Sequence, residues 1–360
     1  MIGKMRKLKL TGKERFLIAR TDRIGDVVLS TPVLETLKSR YPEVQVSMLV
    51  SAYAADVLKN NPNVDDVIID DLENRHRGLK GFSVLVKEVK RKDFDVSILL
   101  RPTLRLALLL FLAGVRYRIG TGYRFYQLLF NRKVYVHRRM NLRHEAEYNL
   151  DLLQPLGIRP QKVCPRVYLS PEEELFAQRT WEELKLTWEN AVVAIHPGSG
   201  NSSLNLPPKK FAQVADVLAE KANARIILTG SEKERGLVDF IKGNMEHSVI
   251  DLTGGTNLRQ LAAILKKSDA LISNSTGPMH LAAAVGTPTV AIFCPVFAAG
   301  PIRWGPYGED HEVVLPPVPV CSECQPRKCP HYDCMEKIKA DYIVSKALSV
   351  LRKRVRVKPS

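Results

Sequence analysis

Three short stretches of this chain carry residue types that could do chemistry at the end of a strand. The segment Ser273-Asn274-Ser275-Thr276-Gly277-Pro278-Met279-His280 follows the apolar run Ala270-Leu271-Ile272. The pattern predicts a strand, a turn of small residues and a helix starting near Gly277, with Pro278 at an early helical position where its missing N–H costs nothing. Free backbone N–H groups and the positive end of the helix dipole make such a start a seat for phosphate. Upstream, Val192-Val193-Ala194-Ile195 runs into His196-Pro197-Gly198-Ser199-Gly200-Asn201-Ser202-Ser203. Two anion-friendly turns at two strand ends of one half of the chain point to a nucleotide diphosphate rather than a lone phosphate.

The third stretch lies near the start, where Phe16-Leu17-Ile18-Ala19 reads as a strand and continues into Arg20-Thr21-Asp22-Arg23-Ile24-Gly25-Asp26. Gly25 allows a sharp turn or a close approach of backbone to ligand. Asp26 then stands at a helix start. It can serve as an N-cap carboxylate, a structural role, or as a cleft carboxylate that takes a proton from a hydroxyl nucleophile. The residues alone leave both open.

The elements that must position these residues alternate strand and helix, the signature of α/β architecture with parallel sheets. In the first half, strands are expected at 16–19, 44–50, 67–69 and 96–100, and helices at 27–40, 52–60, 79–91, 104–114 and 144–156. A proline-bearing linker, 157–171, separates them from a second series. That series has strands at 191–196, 225–229, 248–251, 270–273 and 288–293 and helices at 208–221, 232–242, 258–267 and 278–285. The expected organisation is two doubly wound Rossmann-like domains, residues 1–165 and 166–340, facing each other across a cleft lined by strand-end loops. An amphipathic helix in 341–360 is expected to brace the first domain.

The 360 residues are 45% hydrophobic and 26% charged, as in a soluble globular protein, and no apolar run reaches the roughly 18 residues needed to span a bilayer. The basic start, Met1 to Lys7, lacks the apolar core and cleavage site of a signal peptide, so a cytoplasmic protein is expected. A net charge of +16 predicts attraction to something polyanionic, and the stretch Arg101 to Arg143 holds many Arg and Lys residues without one acid. No RNA- or DNA-binding motif interleaves aromatics with the basic clusters, which argues against nucleic acid. The first turn lacks Gly-x-Gly-x-x-Gly, which argues against a dinucleotide-dependent dehydrogenase.

Arg23 to Pro32, His196-Pro197-Gly198 and Asn274 to Ala284, in this order and spacing, resemble glycosyltransferase family 9, the ADP-heptose:lipopolysaccharide heptosyltransferases of GT-B fold. The likeness runs from about Phe16 to Cys334. It implies that Asp26 is the catalytic base of an inverting, metal-independent transfer, with Arg23 and Gly25 on the acceptor side. The donor site would comprise His196, Gly198, Ser199, Glu234, Ser275, Thr276, Gly277, Pro278 and His280. Of these, Glu234 is equally readable as an exposed helix-start acid and His280 as a core histidine; His144 reads as a helix cap. The implied donor is ADP-heptose or another nucleotide sugar, and the implied acceptor is the phosphorylated lipid A–Kdo glycolipid at the anionic inner face of the inner membrane. A family member with a different donor or weakened catalysis, or a GT-B-type nucleotide-sugar epimerase, is the alternative.

Two positions depart from the family pattern. Ser275 stands where an aspartate usually precedes Thr-Gly, and Leu204-Asn205-Leu206 replace a Lys-x-Trp that usually follows the His-Pro-Gly loop. Asp93-Phe94-Asp95, the sole Asp-x-Asp, reads as a strand cap rather than a metal site. Cys321, Cys324, Cys329 and Cys334 have spacings that could close tetrahedrally on a structural zinc, while free thiols or two disulfides fit the same window. Cys164 and Cys294 read as small apolar residues. No cofactor is required for the implied catalysis.

Overall fold

A computed structural model describes residues 8–159, 161–187, 189–200, 204–324 and 329–353. The chain divides into two compact units, Met1–Tyr168 and Leu169–Ser360.

The first unit is built on six strands: β1 (Arg15–Ala19), β2 (Gln45–Ser51), β3 (Asp66–Asp70), β4 (Val96–Leu99), β5 (Tyr117–Thr121) and β6 (Arg132–Val134). All pair in parallel, in the order β3-β2-β1-β4-β5-β6. Phe16 to Ala19 are fully buried because helices cover both sheet faces, which is why this strand is continuously apolar. The helices are α1 (Ile24–Val28), α2 (Thr31–Arg40), α3 (Gly78–Arg91), α4 (Leu104–Leu112) and α5 (Glu145–Asp151). A single helix over 27–40 is expected from the sequence, and two form. Pro32 has no N–H to give Val28, and the hydroxyls of Ser30 and Thr31 bond to the carbonyls of Asp26 and Val28 at 2.8 Å each. Strands β5 and β6, absent from the sequence expectation, are short and arginine-bearing.

The second unit repeats the topology. Its helices are α6 (Pro171–Glu183), α7 (Pro208–Ala222), α8 (Arg235–Gly243), α9 (Leu258–Lys267), α10 (Gly277–Ala284), α11 (Pro301–Trp304) and α12 (Ala340–Lys353). Its strands are β7 (Val192–His196), β8 (Arg225–Leu228), β9 (Ile250–Asp251), β10 (Ala270–Asn274), β11 (Thr289–Ile292) and β12 (Glu312–Val314), in the order β12-β11-β10-β7-β8-β9 and all parallel. Helix α6 is opened by a capping box between Ser170 and Glu173 at the edge of the expected linker. Ile343, Val344, Ala347 and Val350 are buried in the second unit's own core.

In both sheets the strand order reverses beside the first strand of the unit, between β1 and β4 and between β7 and β10. Ligands of open parallel sheets bind outside the carboxyl ends of strands at such reversals. The three chemistry-bearing stretches leave β1, β7 and β10 there.

Candidate functional site

At the first reversal the chain leaves β1 through Arg20, only 3% exposed. Its guanidinium meets three carboxylates: Nε donates to Asp22 at 2.7 Å, Nη1 to Glu145 at 3.0 Å, and Nη2 to Asp26. Burial by itself would lower the Arg20 pKa, but Asp26, Asp22 and Glu145 outweigh it and hold it above its ordinary value. Burial pushes the Asp22 carboxyl up, Arg20 opposes this, and Asp26 adds to it.

Helix α5 supplies the other side of this cluster. Glu145 and Asn149 lie one turn apart on one face and are both buried. Asn149 Oδ1 accepts from Arg20 at 3.4 Å and from Arg138 at 2.9 Å, and its Nδ2 donates to the Leu29 carbonyl at 3.1 Å. Arg138 reaches the Leu100 carbonyl at 3.0 Å, and Arg101 reaches the Thr21 carbonyl at 3.0 Å. The ends of β1 and β4 are thereby cross-linked through ionic side chains.

Asp26 is the third residue of α1, and its side chain is 14% exposed. It is not the N-cap; Arg23 holds that position, exposed and without a capping side chain. Gly25 is buried inside α1. His144 caps α5, its Nδ1 accepting from the Ala146 N–H at 3.2 Å. In the Asp-x-Asp stretch, Asp95 accepts from the Arg15 N–H at 2.9 Å, a strand-cap role.

At the second reversal β7 ends in His196, which is buried, with Nδ1 3.1 Å from Thr229 Oγ1. Burial lowers the imidazole pKa, and the Glu234 charge works against it. Glu234 folds back onto Ser231, accepting from its N–H and hydroxyl at 2.8 Å each. Its carboxylate lies against Gly198, where any Cβ would overlap it. Fully buried Asn274 ties the two loops: Nδ2 donates to the Pro197 carbonyl at 2.6 Å, and Oδ1 accepts from the Leu206 N–H at 3.0 Å. Ser199 is buried next to Gly200, which has φ +55°, while Asn201, Ser202 and Ser203 lie outside the described residues.

Helix α10 begins at Gly277 with Thr276 extended before it and no side-chain cap, and Pro278 lies in its first turn. First-turn N–H groups with no intrahelical partner are what an anion needs. The Ser275 N–H donates to the Ile292 carbonyl at 3.0 Å, and His280 is buried on the helix.

Cys321, Cys324, Cys329 and Cys334 line one small cavity of about 60 Å³ together with Leu204 and Pro295. All four are free thiols. Among the described residues no three His, Cys, Asp or Glu side chains are grouped as a metal ion requires. Burial raises the pKa of Cys321, Cys324 and Cys334, and the nearby Cys294 thiol raises each further. Cys294 is buried in the second unit's apolar core, as a small apolar residue would be.

Sequence reasoning quoted Arg20 without giving it a role, and it missed Glu145, Asn149 and the bridging part of Asn274. A charged residue directly after a fully apolar strand is the signal that could have found Arg20.

Residues 83–335 match Glycosyltransferase family 9 (heptosyltransferase). A Haemophilus influenzae protein described as a glycosyltransferase is 28% identical over 316 residues, 84% of this chain and 90% of its own. Lipopolysaccharide heptosyltransferase 3 of Escherichia coli K12 is 26% identical over 298 residues, 79% of this chain and 83% of its own. Among solved structures, a family 9 glycosyl transferase from Veillonella parvula superposes with a TM-score of 0.87 at 24% identity, covering 97% of this chain and 100% of that one. The E. coli heptosyltransferase WaaC solved with ADP gives 0.72 at 18% identity, covering 93% and 99%. These likenesses establish the GT-B fold.

Proposed function

Because the chain belongs to glycosyltransferase family 9, the heptosyltransferase family, we propose that it transfers heptose from ADP-heptose to the inner core of lipopolysaccharide, with inversion and without a catalytic metal. The observation that carries this reading is the placement of Asp26. It stands at the β1/β4 reversal with one carboxylate oxygen held by buried Arg20. The other oxygen accepts the proton of an acceptor sugar hydroxyl as that oxygen attacks the anomeric carbon. The bond from this carbon to the nucleotide diphosphate breaks on the opposite face, and the diphosphate leaves with the bonding pair.

Negative charge then builds on the leaving group. The uncapped start of α10, with the N–H groups of Thr276 and Gly277, offsets it without reorganisation. His196, Gly198 and Glu234 shape the neighbouring wall of the donor site. Names of relatives support the substrate classes: lipopolysaccharide heptosyltransferases among the sequence relatives, and ADP in a structural neighbour. The acceptor in this reading is the lipid A–Kdo glycolipid, met by a peripheral protein at the inner face of the inner membrane.

Incubation with labelled nucleotide sugars and truncated lipopolysaccharide tests the proposal. Transfer from ADP-heptose is the expected result. Transfer only from another nucleotide sugar overturns the donor, and epimerised donor without transfer overturns the reaction.

A further inference from the structure

Between β5 and β6 the chain makes a five-residue 3-10 turn, Phe125–Leu129. With three residues per turn, side chains three apart stack on one side. Tyr126 and Leu129 form the inner side, joining the first unit's core, and the Tyr126 hydroxyl donates to the Pro102 carbonyl. Phe125 and Leu128 form the outer side and are 78% and 83% exposed. Helix α4 packs beside this turn and leaves Phe111 and Leu112 about half exposed. A pinned turn that holds two large apolar side chains together in solvent is not a random surface feature.

Its surroundings select the partner. From Arg101 to Arg143 there is no acidic residue, and Arg116, Arg124 and Arg139 are exposed. Docking on the same face of a second copy would set these arginines against each other, since a two-fold interface meets itself. A surface of lipid phosphates over an apolar interior matches both features.

We propose that the Phe125–Leu129 turn docks the protein on an anionic lipid surface, Phe125 and Leu128 entering the interface while Arg124, which precedes the turn, meets lipid phosphates. This rests on the peripheral placement in the proposed function, for which it names the surface, and does not depend on which sugar is moved.

The test is flotation of the full chain with phosphatidylcholine vesicles, with and without phosphatidylglycerol. Wild type is expected on the anionic vesicles, less so as salt rises. Phe125→Ser/Leu128→Ser should weaken this binding about ten-fold or more with an unchanged melting temperature, because both side chains are already in solvent. Arg124→Gln should weaken it about five-fold. Equal binding by wild type and the double variant overturns the proposal, as does absence of wild-type binding, or a wild-type dimer that the double variant splits without any change on vesicles. Transfer to a water-soluble, deacylated acceptor should be equal in both proteins. If neither transfers, the transfer reading fails, and vesicle binding still decides this one.

Discussion

Arg20 and Asp26 form an ion pair across the turn that ends β1, six residues apart in sequence. The same guanidinium holds Glu145, 125 residues away, so the orientation of Asp26 is coupled to the seating of α5. The proposed base is therefore fixed by a buried cation that lies outside the family motif proper.

Asp26→Asn should keep the fold and donor affinity while turnover falls by about two or more orders of magnitude, since the amide cannot accept the proton. Circular dichroism, nucleotide binding and turnover check this together. Near-normal turnover rules out the base role.

Arg20→Lys should lower stability by about 3 kcal/mol or more, because an ammonium cannot reach three carboxylates and Glu145 stays buried. Chemical denaturation measures it. A loss under 1 kcal/mol would mean that the cluster is held by α5 packing instead.

Gly198→Ala should push the Glu234 carboxylate off its bonds to Ser231 and weaken nucleotide-sugar binding. Adding Glu234→Ala makes room for the new methyl group, so the double variant should be less impaired than the two single effects summed. Strict additivity in titration calorimetry argues against the contact.

The buried imidazole of His196 makes stability depend on pH in a definite direction. Its folded pKa is lowered by burial below the ordinary 6.5, with Glu234 opposing. The unfolded chain then binds more protons, so this contribution is full above about pH 6.5 and declines as pH falls through that value. His196→Gln should flatten the melting-temperature profile between about pH 7.5 and 5.5. An unchanged slope refutes the assignment.

Ser275→Asp should raise activity with ADP-heptose. A carboxylate at the end of β10 can accept charge-assisted hydrogen bonds from sugar hydroxyls that a serine holds more weakly. Lower activity with every donor tested would overturn the donor assignment and leave the fold untouched.

Much of the architecture was legible because it is local. Apolar runs such as Val192 to Ile195 encode buried parallel strands, and Pro278 after Thr276-Gly277 encodes a helix start; both lie where the pattern put them. The break at Pro32 and the Ser170 capping box were equally local and were readable in principle. Asp26 was singled out by its place in the motif, and only the helix beginning at Ile24 shows that it is not the N-cap.

The sequence by itself determined the alternation of strands and helices, the strand-end position of each motif and the family likeness, since these depend on residues a few positions apart. Tertiary structure alone decided that Arg20 would be buried among Asp22, Asp26 and Glu145, that Asn274 would clamp Leu206, and that α12 would spend its apolar face on the second unit. A buried charge must find opposite charges and a buried amide must find its hydrogen bonds. Partners are chosen by proximity in the folded core, and spacing along the chain carries no record of that choice.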